Sequence, residues 1–208
     1  MAISGLVLVA FVIGHLAGNL LIFRGPEALN AYGAKLRDLG WGLWAARLGL
    51  LLAAAVHIVT SVTLAMENRR ARPQPYRIQR YKEATPTSRA MLVSGVLVLA
   101  YLVYHLLHFT FRVTHPALSS GVDAQGRHDV HAMVVGSFQQ APITVAYLAG
   151  MACVAWHLDH GVASAFQTLG VSSERAVPLF GRLSRLFALA VFLGYSAIPA
   201  AVWLGIVR

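Results

Sequence analysis

The apolar and polar positions of this chain sort into five long apolar stretches separated by polar segments. They run over residues 3–23, 41–66, 90–111, 139–166 and 184–207. About 20 mostly apolar residues are needed to cross about 30 Å of hydrocarbon as a helix, and each stretch meets that length. None alternates with the period of two that marks a half-buried strand, and a lipid-spanning segment must satisfy its own backbone hydrogen bonds. The pattern therefore predicts an all-α membrane protein, a bundle of five transmembrane helices forming a single domain over residues 1–208. No internal repeat is evident.

Composition agrees. Of 208 residues, 57% are hydrophobic and 12% charged, against roughly 25% charged in an ordinary soluble domain. The deficit leaves too few charges to cover a soluble surface. The net charge of +9 raises the question of nucleic acid, but the basic residues cluster between the apolar stretches, as at an anionic lipid surface. The opening stretch has no basic lead and is followed by Arg24 and Pro26, so it is expected to be a retained helix and not a cleaved leader. The single cysteine, Cys153, lies within an apolar stretch and reads as a small buried side chain.

Charge in the connecting segments predicts orientation. The segment 67–89 carries Arg69, Arg70, Arg72, Arg77, Arg80, Lys82 and Arg89, and the fourth connection with the first residues of the fifth stretch adds Arg175, Arg182 and Arg185. The first connection carries Arg24, Lys35 and Arg37, and the third Arg112 and Arg127. Ten basic residues against five place the second and fourth connections in the cytoplasm, with a cytoplasmic N-terminus and an external C-terminus.

Four histidines then change the picture. Ionisable side chains inside spans are costly and functional by default, and His15, His57, His105 and His157 fall one each on the first four stretches. His15 lies eight residues before position 23 and His105 six before position 111. At about 1.5 Å per residue, both sit roughly 9–12 Å below the external end. His57 and His157 each lie nine residues before the cytoplasmic end of their stretch, at positions 66 and 166. The histidines thus form an outer pair and an inner pair. Imidazole on both faces of a heme iron gives a six-coordinate centre suited to electron transfer, and two such hemes would carry electrons between the membrane faces. The plainer alternative is that each histidine hydrogen-bonds a neighbouring helix; sorting into two depth-matched pairs favours ligation. Zinc or copper is disfavoured because no acid or thiol stands beside either pair. In Tyr104-His105-Leu106-Leu107-His108 the second histidine competes with the first, and His160 competes with His157; the deeper residue is preferred in each case.

The run Gly14-His15-Leu16-Ala17-Gly18-Asn19-Leu20, followed by Gly25-Pro26-Glu27-Ala28-Leu29-Asn30-Ala31-Tyr32, resembles the start of the cytochrome b subunit of succinate dehydrogenase and fumarate reductase, in its bacterial single-chain, five-helix, diheme form. Tyr104-His105-Leu106-Leu107-His108-Phe109-Thr110-Phe111 and the stretch from Trp156-His157 to Gly161 are similar to its third and fourth helices. The likeness covers nearly the whole chain. It implies a cytochrome b membrane anchor of a succinate:quinone oxidoreductase in the bacterial cytoplasmic membrane. A flavoprotein subunit and an iron–sulfur subunit would dock on the cytoplasmic side, and the dicarboxylate site would lie on the flavoprotein. The implied cofactors are two heme b groups, the distal held by His15 and His105 and the proximal by His57 and His157, with a quinone, commonly menaquinone, as electron partner. Where some fumarate reductases of this type carry a glutamate two residues before the fourth-helix ligand, this chain has Ala155, so the likeness carries no proton-compensation route. Glu27 and Asp38 lie in the region where those enzymes place an acid for quinol chemistry.

Further expectations concern the surroundings. Asn19 and His108, one turn outward from the outer ligands, are the candidate quinone contacts; alternatively Asn19 bonds a neighbouring backbone and His108 a heme propionate. Arg24, Lys35, Arg37 and Arg47 are placed to meet outer propionates, and Arg69 and Arg70 inner ones, against a plainer role at lipid headgroups. The basic run from Arg69 to Arg89 is a candidate docking surface for an iron–sulfur subunit. Trp41, Trp44, Tyr101 and Tyr104 need no role beyond interfaces and helix contacts. Competing readings are a different diheme cytochrome b, of the b561 or bc type, and a membrane anchor without redox function. The former place two histidines on one helix about a dozen or more residues apart, which no stretch here does.

Overall fold

A computed structural model describes residues 1–71 and 89–208. Arg72, Arg77, Arg80 and Lys82, the centre of the basic run and of its expected docking role, lie outside the described residues. The described residues form seven α-helices: α1 (Ala2–Asn19), α2 (Pro26–Asp38), α3 (Trp41–Arg70), α4 (Met91–His105), α5 (Val130–Phe138), α6 (Ala141–Thr168) and α7 (Ala176–Trp203). Five helical segments are long and apolar enough to cross a membrane: Ala2–Arg24, Trp41–Arg70, Met91–Thr110, Ala141–Thr168 and Ala176–Trp203. They overlap the five predicted stretches, but α3 continues to Arg70, past position 66, and α7 begins eight residues before position 184, with Pro178 accommodated in its first turn, and ends at Trp203.

The two short helices were not predicted, because a search for 20-residue apolar runs passes over them. Helix α2 opens on Pro26 with Glu27 in its first turn and closes on Lys35 and Arg37, an arrangement that complements the helix dipole at both ends. Helix α5 is capped by Asp129, whose side chain accepts from the Ala132 amide at 2.9 Å. Most of its nine residues are buried, against α2, α6 and α7. Together α2 and α5 cover one end of the bundle, hereafter the capped end.

The long helices have a simple order. Helix α1 packs on α3 and α6, α4 packs on α6 and more lightly on α3, and α7 lies outside this set against α6 and α1. Helices α1, α3, α4 and α6 therefore form a ring of four, with α1 facing α4 across one diagonal and α3 facing α6 across the other. Neither diagonal pair is closely packed. Two hydroxyl groups lock α7 in place: Tyr195 donates to the Val12 carbonyl at 2.9 Å, and Ser184 donates to the Leu158 carbonyl at 2.8 Å. The larger apolar core, including Ile22, Leu29, Val135, Phe138, Tyr147 and Ile198, fills the capped end, while a smaller cluster of Leu158, Ala188 and Val191 lies further along α6 and α7.

Candidate cofactor site

The diagonals carry the histidines. His15 on α1 and His105 on α4 face each other with ring centres 5.9 Å apart and planes at 84°. His57 on α3 and His157 on α6 do the same across the other diagonal, at 6.3 Å and 77°. All four rings are half-buried. The pairs expected from depth are thus the pairs brought together, each between two helices that do not otherwise touch closely.

Two helices independently report the spacing of the layers. A Cβ at Gly5 on α1 would lie 3.2 Å from Cε1 of His57, and one at Gly95 on α4 would lie 3.4 Å from Cε1 of His157. Gly5 precedes His15 by ten residues, and Gly95 precedes His105 by ten. Ten residues at 1.5 Å each separate the layers by about 15 Å on both helices. The same interval recurs on the other two: Arg47 and Tyr147, ten residues before His57 and His157, line the cavity beside the capped-end pair.

That cavity has a volume of about 470 Å³, within the usual range for a bound cofactor. His15, His105, Tyr101, Tyr147 and Tyr195 contribute to its walls, and Arg37, Arg47 and Arg112 give it a cationic rim, with His128 beside them. The Tyr101 ring lies where a side chain at position 150 would otherwise stand, so Gly150 is what lets it pack against α6. Arg112 has φ of +59°, a left-handed conformation uncommon outside glycine and found at functional turns. It follows a π-helical turn, Leu106–Thr110, that begins directly after His105; such turns concentrate at functional sites. Arg24 and Lys35, expected near the outer carboxylates, are not among the lining side chains, whereas Arg37 and Arg47 are.

The competing histidine has other work. His108 is 2% exposed, with Nδ1 3.0 Å from the Tyr147 hydroxyl and Nε2 3.1 Å from Ser137 Oγ. Ser137 donates its own proton to the Met133 carbonyl at 2.7 Å, so its oxygen accepts from His108 Nε2–H, and Tyr147 donates to Nδ1. Both nitrogens are spent on holding α4, α5 and α6 together. Asn19 lines the cavity, while its amide donates to the His15 carbonyl at 2.7 Å. His160 pairs with no other histidine ring. Its neighbour Asp159 forms a 3.4 Å ion pair with Arg185 of α7.

The cap over the cavity is polar and tied. Asn30, 1% exposed, donates to Asp129 at 3.0 Å and Asp123 at 3.3 Å and accepts from the His131 amide at 2.9 Å. Arg127 bridges Glu27 at 2.6 Å and Asp123 at 2.7 Å. The hydrogen bonds from Arg127 hold the Glu27 carboxyl below its ordinary range. Burial works against Asp123, yet its hydrogen bonds from Arg127 and Gln125 bring it down as well. Burial pushes His128 down, helped by Arg112, and pushes His131 down against the pull of Asp129.

In ring spacing, each pair is suited to a metal held between two imidazoles. Two imidazoles bound to one metal through bonds of about 2 Å bring their ring centres about 6 Å apart, and both pairs meet that distance. His105 buries an Nδ1 with no hydrogen-bond partner among the described residues. No cluster of three or more histidine, cysteine or acidic side chains suited to a metal occurs among the described residues, so the histidines act as separate pairs.

Sequence reasoning passed over Ser94, whose hydroxyl lies 3.0 Å from His157 Nδ1, as well as Gly5, Gly95, Tyr147, Arg112 and His128. The repeated ten-residue glycine-to-histidine interval was the signal available for the two glycines. No protein-family model, no curated protein and no solved structure matches this chain.

Proposed function

We propose that this chain is a diheme cytochrome b of the membrane, and that it serves as the anchor and quinone-reactive subunit of a succinate:quinone oxidoreductase. The observation that carries the diheme part is the placement of the four histidines: two pairs on crossed diagonals, with ring centres 5.9 and 6.3 Å apart, in layers about 15 Å apart. The resemblance of the His15, His105 and His157 motifs to the cytochrome b subunit of succinate dehydrogenase and fumarate reductase supports the rest.

On this reading His15 and His105 hold one heme b, and His57 and His157 the other. A heme with imidazole on both faces cycles between ferrous and ferric states without an open coordination position. Arg37, Arg47 and Arg112, which line the cavity, would offset the carboxylates of a macrocycle held at the capped end. Arg69 and Arg70, at the C-terminal end of α3, stand toward the other end. Asn19 is favoured over His108 as a quinone contact, since its carbonyl oxygen is uncommitted and it lines the cavity, whereas both His108 nitrogens are engaged. The positive charge of the second and fourth connections supports a cytoplasmic N-terminus and docking of the flavoprotein and iron–sulfur subunits on that side of the bacterial membrane.

The test is direct. The complex purified from its own membranes is expected to contain two low-spin b hemes per copy of this chain and to copurify with a flavoprotein. A preparation with full occupancy of the chain and no low-spin heme refutes the diheme reading; two hemes without a flavoprotein partner refute the succinate:quinone part alone.

A further inference from the structure

We infer that Ser94 and Gly95 form a seat on α4 that orients His157, leaving the ring nitrogen with the free electron pair to face the diagonal. This rests on the diheme reading and extends it to a positioning residue that contacts no cofactor. Ser94 is 1% exposed. Its hydroxyl oxygen lies 3.1 Å from the Met91 carbonyl and 3.0 Å from His157 Nδ1. A hydroxyl has one proton, and a carbonyl can only accept. With the serine proton on the Met91 carbonyl, the serine oxygen accepts from His157 and the imidazole proton resides on Nδ1. A neutral imidazole protonated on Nδ1 carries its lone pair on Nε2.

Gly95 completes the seat by leaving room: a Cβ there would already stand 3.4 Å from Cε1 and 3.9 Å from Nδ1 of His157. The partner ring lacks half of this arrangement. Gly5 faces His57, at 3.2 and 3.3 Å from a Cβ at that position, but among the described residues no side chain bonds His57 Nδ1. One ligand of the pair is held in a defined tautomer by a side chain; the other has the Met1 backbone beside it and no side-chain partner among the described residues. A hydrogen bond from Nδ1–H to an oxygen raises the basicity of the ligating nitrogen, which favours ferric over ferrous iron and lowers the potential of that heme.

The experiment compares Ser94→Ala and Ser94→Thr with the parent in the intact complex, by heme quantification, optical redox titration and low-temperature electron paramagnetic resonance. Ser94→Ala is expected to keep both hemes and to raise the midpoint of the His57/His157 heme alone. A tenfold change in the ferric-to-ferrous preference corresponds to about 59 mV for one electron. The low-spin signal of that heme should shift with it, and Ser94→Thr should restore both values. Selective loss of that heme in Ser94→Ala, reversed in Ser94→Thr, is also as expected. Two hemes with unchanged potential and signal in Ser94→Ala overturn the inference, as does a loss that involves both hemes or that threonine does not reverse. A parent complex without low-spin heme would instead defeat the diheme reading itself.

Discussion

The two ends of the bundle solve the same problem with different means. At the capped end, the His15/His105 pair sits beside a cavity roofed by α2 and α5, backed by the larger apolar core and stitched by Asn30, Arg127 and the His108–Tyr147–Ser137 network. At the far end, the His57/His157 pair depends on α3, a 30-residue helix with no buried residue. The exposure of Leu48, Leu51, Leu52 and Val59 suits lipid contact, not packing. The first pair is braced whether or not anything is bound between its rings. The second is held chiefly by the fit of His57 against Gly5 and of His157 into its seat. A helix that packs weakly on its neighbours draws more of its order from a shared ligand.

The largest effect should come from removing single histidines. His15→Ala is expected to lose the capped-end heme and leave the cap folded. His57→Ala should lose the far-end heme and, in addition, hydrogen-exchange protection along α3. Each variant should retain one heme per chain. Equal loss of protection at both ends, or loss of both hemes from either substitution, breaks the contrast.

Next in size is Asn30→Ala. It removes two hydrogen bonds to Asp129 and Asp123 and strands the His131 amide; an unsatisfied buried group costs about 1–3 kcal/mol. Thermal unfolding should begin earlier, with α5 amides exchanging first and α3 unaffected. Tyr147→Phe deletes the donor to His108 Nδ1. Hydrogen bonds between transmembrane helices average about 0.6 kcal/mol, so its cost should be smaller and again confined to the capped end.

Acidity sharpens the same comparison. His128 and His131 have lowered values in the folded cap, so the unfolded cap binds protons more readily, and cap stability falls as pH drops through about 6.5, the ordinary histidine value. Glu27 and Asp123 are also lowered. Their contribution is present above about 4, the ordinary carboxylate value, and is lost as pH falls through their folded values. Exchange of α2 and α5 amides should accelerate in both windows on acidification, and acceleration on raising the pH would contradict the assignment. The smallest effect is expected from Glu27→Gln. That carboxylate is 70% exposed, and surface ion pairs contribute little; a change in cap exchange rivalling that of Asn30→Ala would be the wrong outcome.

Several of these features were legible along the chain. Spans were legible because twenty apolar residues have few other fates, and the depths of the histidines followed from the constant rise of a helix. Helix α2 was not, since its capping signals mark a helix without saying that it lies across the bundle end. Helix α5 was missed because its apolar run is too short for a span and merges in composition with the stretch after it. Arg37 and Arg47 were identified as cations near the outer site, but Arg112 was not. Arg112 takes a left-handed backbone after the π turn and lines the cavity, a placement that span lengths do not mark. His108 reads along the chain as a quinone or propionate contact one turn outward from His105, and its burial became visible only once Tyr147 and Ser137 were placed against it.

Composition and helical rise, which are local, determined on their own that this chain forms five apolar helices and carries one histidine on each of four at two matched depths. Tertiary packing alone decided that α1 faces α4 and α3 faces α6, that each diagonal stays open by the width of two imidazoles, and that Ser94, Gly95 and Gly5 stand against the rings. These depend on which helix faces meet. Lipid and protein interior are equally apolar, so hydropathy cannot report which faces those are, and side-chain shape and a few buried hydrogen bonds make the choice.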